Sequence, residues 1–168
     1  MEAKYITPFV HAVKNVFKTM LQVEVELGEP LLRRPGEPAH DVSGIIGMSG
    51  ELSGTVVLSF PTDTACRIVS LFVGMEVDSD SEDFADAVGE LVNMVTGNAK
   101  AEIQDGHVNI TCPSIVVGQS HTVFQQKNRP VIELPCDCSC GEFCVMISIV
   151  PTDESKRVPA HSEAKMIA

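Results

Sequence analysis

The sequence has few basic residues. Lys and Arg number 12 among 168 residues, against 23 Asp and Glu, so the formal net charge is −11. Proteins that bind nucleic acids need cations to displace the phosphate counterions, so this charge argues against a nucleic-acid partner. It argues against an anionic membrane surface for the same reason.

Long apolar runs and targeting signals are also missing. No stretch reaches the roughly eighteen apolar residues that a transmembrane helix needs. Residues 1–16 lack the basic start, apolar stretch and small-residue cleavage site of a secretory leader. The 6 cysteines are unevenly spaced and too few for a disulfide scaffold. We therefore expect a cytoplasmic protein with reduced cysteines.

Enough apolar residues are present for one globular domain. Hydrophobic residues make up 44% and charged residues 21%, the balance of a chain that buries a core. A length of 168 residues suits one domain better than two. After Pro151 the sequence turns polar and loses its periodicity. We predict a domain over residues 1–151 and a flexible C-terminal tail over residues 152–168.

Hydrophobic periodicity predicts a mixture of helices and strands. Apolar residues at helical spacing predict helices over 5–21, 64–72 and 82–104, the last capped by Asp80 or Ser81. Segment 28–38 is predicted as a loop. Apolar runs predict strands over 23–26, 42–48, 52–60, 108–110, 114–117, 122–124, 131–134 and 143–150, with a hairpin between the second and third. This mixture predicts an α/β (α+β) two-layer sandwich, in which a mainly antiparallel sheet packs against long helices.

The longest predicted helix carries a narrow stripe of polar and small residues. At 100° per residue, Asp83, Asp86, Glu90, Asn93 and Gly97 fall on one side of it. Glu90 and Asn93 are neighbours one turn apart and point outward. A solvated face tolerates Glu, but Asn is a poor helix former and mid-helix Gly is about 1 kcal/mol worse than Ala. The stripe is therefore either a solvated face or a surface that another protein approaches closely.

Three further predictions concern this helix. Small or poor helix-forming residues, namely Gly89, Asn93, Gly97 and Asn98, are predicted to leave room on its exposed face. Asp83 and Asp86 are interpreted first as partners of the helix dipole and second as an extension of a docking surface. The core face is predicted to consist of Phe84, Ala87, Val88, Leu91, Met94 and Val95.

The run from Asp86 to Lys100 closely resembles the signature helix of the CheC/CheX/FliY phosphatases of bacterial chemotaxis. Pro113 follows on the next extended segment, as that signature leads one to expect. The hairpin over 44–61 and the late strands over 131–149 are also similar to this family, so the likeness covers roughly residues 3–151. One Glu-x-x-Asn helix is present, as in the CheX branch of the family. The resemblance implies a CheC-like fold and a homodimer.

The same resemblance implies an activity and its residues. The expected substrate is the aspartyl phosphate of a CheY-type response regulator, which would be hydrolysed. Asn93 would orient the attacking water, because a neutral amide both accepts and donates hydrogen bonds without repelling the phosphoryl oxygens. Glu90 would dock the helix by pairing with a lysine of the regulator. The chain would need no metal or cofactor of its own, since the regulator supplies Mg²⁺.

Two alternatives to a phosphatase stay open from the sequence. The same helix would also suit an adaptor or sink that binds a phosphorylated receiver domain without hydrolysing it. The second alternative is a metal or redox sensor built on a cysteine cluster, Cys136, Cys138, Cys140 and Cys144. Its C-x-C-x-C-x₃-C spacing differs from the C-x₂-C zinc knuckle, so incidental thiols are the favoured interpretation. Cys66 and Cys112 are predicted to be small core residues, in a helix and a strand.

Overall fold

All described strands belong to one antiparallel sheet with the helices packed on one of its faces. The computed structural model describes residues 3–103, 107–119, 121–123 and 129–152. A turn of 3-10 helix over Ala3–Tyr5 precedes α1 (Thr7–Val16), which continues as a π-helical turn over Phe17–Leu21 and is followed by α2 (Thr62–Val73) and α3 (Glu82–Glu102). The eight strands are β1 (Val25–Leu27), β2 (Leu31–Leu32), β3 (Val42–Gly50), β4 (Leu52–Phe60), β5 (Val108–Ile110), β6 (Ser114–Val117), β7 (Ile132–Cys138) and β8 (Gly141–Pro151). The predicted α+β two-layer sandwich is confirmed.

The sheet places the predicted hairpin at its centre. Its order is β1-β7-β8-β4-β3-β5, with β2 also pairing with β7 and β6 also pairing with β3. The core lies between the sheet and the helices, where the Phe143 ring stacks on both Phe17 and Phe60 at centroid distances of 4.9 and 5.3 Å. The opposite face carries a small cluster around Val57 and Met146. In the described chain, most of the buried apolar residues therefore lie on the face of the sheet that the helices cover.

Helix α3 lies directly against β3 because a glycine occupies the contact. A Cβ atom at Gly44 would sit 3.0 Å from Val92 Cγ1 and 3.4 Å from Val88 Cγ1. With hydrogen in place of that Cβ, the two valines pack onto the strand backbone. The N-terminus of α3 is fixed by Ser81, whose side chain accepts a hydrogen bond from the Phe84 backbone N–H at 3.2 Å. Of the two predicted caps, Ser81 is the one used.

Helix α1 holds α3 from the other side. Asn15 Nδ2 donates to Asn98 Oδ1 at 3.0 Å, and His11 Nδ1 lies 2.7 Å from Glu102 Oε1. Because α3 is covered by both the sheet and other helices, its buried surface is wider than one face. Beyond the predicted core face, Gly89, Val92 and Thr96 are also buried, whereas Met94 is only partly buried.

Several predicted strand bounds are corrected. Thr122 and Val123 lie in no strand, and Phe124 is outside the described residues. The predicted loop over 28–38 contains β2, which pairs with β7. Strand β7 was predicted to end before Pro135 but runs four residues past Leu134, to Cys138.

The position of Pro135 explains why β7 continues through it. The Pro135 carbonyl accepts from the Gly28 backbone N–H at 2.9 Å, so this residue's backbone faces the interruption between β1 and β2. Proline has no amide hydrogen to donate. At this position no residue of β1 or β2 is placed to accept one, so the sheet loses no hydrogen bond.

The ends of the described chain add two facts. Of the predicted tail over 152–168, Thr152 is fixed by a backbone hydrogen bond from its N–H to Glu51 O at 2.8 Å, and the rest lies outside the described residues. In the part of the chain that the structure describes, no helix is both long and apolar enough to cross a bilayer.

Replacing Gly44 with Ala is expected to lower the free energy of unfolding by about 1–3 kcal/mol, because the new methyl group overpacks Val88 and Val92. Gly97→Ala is the control, since nothing lies within 4 Å of a Cβ built there. That substitution is expected to raise stability by up to about 1 kcal/mol through helix propensity. Urea unfolding measures both. Equal effects at the two positions would contradict the tight packing of α3 on β3.

Candidate functional site

An open groove runs between α3 and the sheet edge formed by β5 and β6. Its volume is about 670 Å³. One wall comes from the helix, and the other comes from β5, β6 and the segment that joins them. The lining residues are Ala85, Asp86, Gly89, Glu90 and Asn93 on the helix wall and Ile110, Thr111, Cys112, Pro113 and Ile115 on the edge wall.

Glu90 and Asn93 lie side by side on the helix wall. Glu90 is exposed and Asn93 is partly exposed. Among the residues that the structure describes, neither side chain forms a hydrogen bond or an ion pair within the chain. The outward orientation predicted from the helical wheel is confirmed for both. A carboxylate and an amide are thus left available to an outside partner.

The rest of the predicted stripe divides into two parts. Asp86 lines the groove, whereas Asp83 lies in the first turn of α3 and does not. Gly97 is partly exposed, and the space above it is open. The part of the stripe that faces the groove therefore runs from Asp86 to Asn93.

Two of the small or poor helix-forming residues make contacts within the fold. Gly89 is buried, and a Cβ atom there would sit 3.3 Å from Pro113 Cγ. Asn98 is exposed, but its amide donates to Met94 O and its carbonyl accepts from Asn15. The prediction that Gly89 lies on the exposed face is wrong. The helical wheel missed its burial because the partner that covers it, Pro113, comes from a distant strand edge.

The charge of the groove is one-sided. Asp86 and Glu90 contribute two carboxylates, and none of the described lining residues is a cation. The edge wall consists of neutral side chains. Such a surface favours a partner that presents positive charge to the helix and an uncharged surface to the edge.

The four clustered cysteines do not converge on a common point. In the β7–β8 register, Cys136 lies opposite Phe143 and Cys144 lies opposite Pro135. Cys136 packs in the helix-side core, whereas Cys144 packs with Val57 and Met146 on the other face of the sheet. Within the described ranges, no group of three or more His, Cys, Asp or Glu side chains is arranged to hold a metal ion. The geometry therefore gives no support to a four-thiol metal site.

Cys112 is the site residue that the sequence analysis misplaced. It was predicted to be a core residue in a strand, but it is exposed and lies between β5 and β6. It lines the groove together with Glu90 and Asn93. The other predicted core residue, Cys66, is partly buried on α2.

The fold is that of a known family. The family model described as chemotaxis phosphatase CheX matches residues 42–137, which include Glu90, Asn93 and the whole edge wall. The chain belongs to the CheX family. The expected resemblance to the CheX branch is thereby confirmed.

Similar proteins extend the match beyond the family model. The CheY-P phosphatase CheX of Thermotoga maritima is 32% identical over 122 residues, which cover 71% of this chain and 79% of that protein. The crystal structure of a CheC-like superfamily protein from Shewanella sp. PV-4 is similar with a TM-score of 0.81 and 32% identity, covering 89% of this chain and 99% of that one.

A solved complex of Borrelia burgdorferi CheX is also similar to this CheX family member. It holds that CheX together with CheY, BeF₃ and Mg²⁺. The TM-score is 0.72 at 27% identity, and the match covers 86% of this chain and 97% of that chain.

Thiol reactivity is expected to separate Cys112 from the buried cysteines. Burial raises the pKa of Cys136 and of Cys144 to about 12, so both thiols stay protonated at pH 9. In folded protein treated with iodoacetamide at pH 9, we expect rapid alkylation of Cys112 and little alkylation of Cys136 or Cys144, as read by peptide mass spectrometry. All should react after unfolding in urea. Rapid alkylation of Cys136 and Cys144 in folded protein would contradict their placement.

Proposed function

We propose that this CheX family member is a phosphatase of response regulators, hydrolysing the aspartyl phosphate of a CheY-type receiver domain. The observation that carries the proposal is that Glu90 and Asn93 share one groove and make no bond within the described chain. The similar Thermotoga protein is a CheY-P phosphatase, and the similar Borrelia protein has been crystallised with CheY, BeF₃ and Mg²⁺. The alternative, that the polar stripe is only a solvated helix face, does not account for the second wall across the groove from it.

Asn93 is proposed to orient the attacking water. Its carbonyl oxygen accepts a hydrogen bond from the water and its NH₂ group can donate one, so the water oxygen is held in line with the phosphorus–oxygen bond. That oxygen bonds to phosphorus as the acyl phosphate bond breaks, which releases inorganic phosphate and the receiver's aspartate carboxylate. Little proton removal is needed early in a loose transition state, so a neutral amide suffices. Mg²⁺ and a lysine are proposed to come from the receiver, where they balance the phosphoryl charge.

Glu90 is proposed to dock the receiver. A carboxylate one turn from Asn93 sets the distance between the docking contact and the oriented water. Asp86 adds a second carboxylate to the same wall of the groove. The acidic helix wall would therefore pair with a lysine of the receiver and hold α3 in register with the phosphoryl group.

We also propose that the protein acts in the cytoplasm as a homodimer. What supports a dimer is that the sheet ends in short strands on both sides, β1 with β2 and β5 with β6, each paired on one side only among the described strands. Light scattering on the 18.1 kDa chain distinguishes a dimer from a monomer. A monomer at micromolar concentration would exclude this part of the proposal.

Asn93→Ala is expected to lower the maximal rate of receiver dephosphorylation by about 100-fold or more, because water positioning contributes several kcal/mol to the rate. Binding of the receiver should change little. Phosphate release from a phosphorylated receiver of the same organism, at substoichiometric protein, measures the rate. Asn109→Ala is the matched control, since Asn109 is exposed on β5 and does not line the groove.

Each outcome of this assay has a defined meaning. Normal turnover by Asn93→Ala would exclude the proposed role of its amide. If the wild-type protein binds the phosphorylated receiver but does not speed phosphate release, the chain is an adaptor or sink and the phosphatase proposal is wrong.

Glu90→Gln is expected to act mainly on binding. The substitution keeps the shape of the side chain and removes its charge, so KM for the phosphorylated receiver should rise about tenfold with a much smaller change in kcat. High salt should weaken receiver binding by the wild-type protein more than by the variant, because salt screens the ion pair. A fall in kcat with unchanged KM would instead assign Glu90 to the chemical step.

A further inference from the structure

The edge wall of the groove is a β-bulge. Strand β3 pairs Met48 with Ile110 of β5 and Ile45 with Ser114 of β6. The two β3 residues between these pairs, Ile46 and Gly47, thus lie opposite three residues, 111–113. One extra residue in a continuous antiparallel pairing is the definition of a bulge. Strands β5 and β6 are therefore one edge strand whose pairing is interrupted beside the groove.

Thr111 fastens the bulge to the sheet. Its backbone N–H donates to Gly47 O at 2.9 Å, and its hydroxyl oxygen accepts from the Gly47 N–H at 3.0 Å. The same hydroxyl donates to Cys112 O at 2.9 Å. The close fit depends on glycine, because a Cβ atom at Gly47 would sit 3.2 Å from Thr111 Cγ2. One side chain thus supplies the hydrogen bond that the interrupted ladder lacks.

Pro113 fastens the other end of the bulge to the helix. The Pro113 ring packs against Gly89 of α3. A Cβ atom built on Gly89 would lie 3.3 Å from Pro113 Cγ. Proline has no N–H, so it leaves no ladder donor unpaired at this point. The wall is thereby held at a set distance from the turn of α3 that carries Glu90.

Cys112 lies between these two anchors, in the middle of the bulge. It is exposed, and its side chain lines the groove. Bulges commonly redirect a side chain next to a functional site. Here the bulge places a small, neutral residue in the groove that Glu90 and Asn93 also line.

We propose that the Thr111–Pro113 bulge is the second wall of the surface that receives the phosphorylated receiver domain, with Cys112 in contact and Thr111 as the residue that positions it. This inference rests on the proposed function. A receiver whose phosphoryl group reaches Asn93 must pass over the wall opposite, because the two walls bound one groove. The small, uncharged wall admits a close backbone approach, while the acidic helix wall holds the charged contact.

The first test adds bulk to the wall. Cys112→Trp is expected to weaken binding of a BeF₃- and Mg²⁺-loaded receiver of the same organism by about tenfold or more, because a large side chain fills the contact. Calorimetric titration measures the affinity. Asn109→Trp adds the same bulk on the other face of the same edge strand and should bind within about twofold of wild type.

The second test removes the hydroxyl that positions the bulge. Thr111→Val keeps the size of the side chain but cannot accept from the Gly47 N–H, and it is expected to raise KM for the phosphorylated receiver several-fold with kcat nearly unchanged. Thr111→Ser keeps the hydroxyl, so its KM should stay close to the wild-type value. If Thr111 only stabilised the fold, Thr111→Val would lower the fraction of active protein. The apparent kcat would then fall and KM would not rise.

The outcomes separate this inference from the function on which it rests. If the wild-type protein neither binds the loaded receiver nor speeds its dephosphorylation, the proposed function fails and the inference fails with it. If wild type is active but Cys112→Trp binds normally, or Asn109→Trp weakens binding equally, the bulge is not the second wall. If Thr111→Ser behaves like Thr111→Val, the hydroxyl does not position it.

Discussion

The close approach of α3 to the sheet is the constraint on which the site depends. Two glycines permit it from opposite directions: Gly44 on β3 receives Val88 and Val92, and Gly89 on α3 receives Pro113. Both contacts are too tight for a methyl group to enter freely. With these points fixed, the next residues along the helix, Glu90 and Asn93, can only lie in the groove beside the edge strand. The positions of these two side chains therefore follow from the backbone packing.

This arrangement divides the tasks of packing and recognition between neighbouring residues of one helix. The buried side of α3 packs against the sheet and α1, and the Asn98 side chain accepts a hydrogen bond from Asn15 of α1. The outward turn from Asp86 to Asn93 keeps its polar groups free of internal partners in the described chain. A polar group on a rigid helix needs no ordering of its backbone when a partner arrives, so the entropic cost of binding is limited to ordering its side chain.

Sequence patterns predicted the local features well and the long-range ones poorly. The helix bounds, the cap at Ser81 and the outward direction of Glu90 and Asn93 depend on residues a few positions apart, which helical periodicity resolves. The burial of Gly89, the exposure of Cys112 and the passage of β7 through Pro135 depend on partners that are remote in sequence. Gly47 and Thr111, for example, are 64 positions apart. No period in the sequence encodes such a pairing, so the edge wall became visible only in three dimensions.

The groove joins two parts of the protein that differ in local stability. Helix α3 is covered by the sheet and by α1, whereas the bulged edge strand is interrupted at Thr111 and, among the described strands, is paired on one side only. Strands of this kind open more readily than the core, in local fluctuations that leave the rest of the fold intact. Each such opening removes one wall of the groove while Glu90 and Asn93 stay in place. At the proposed docking surface, such an opening would remove one wall at a free-energy cost below that of global unfolding.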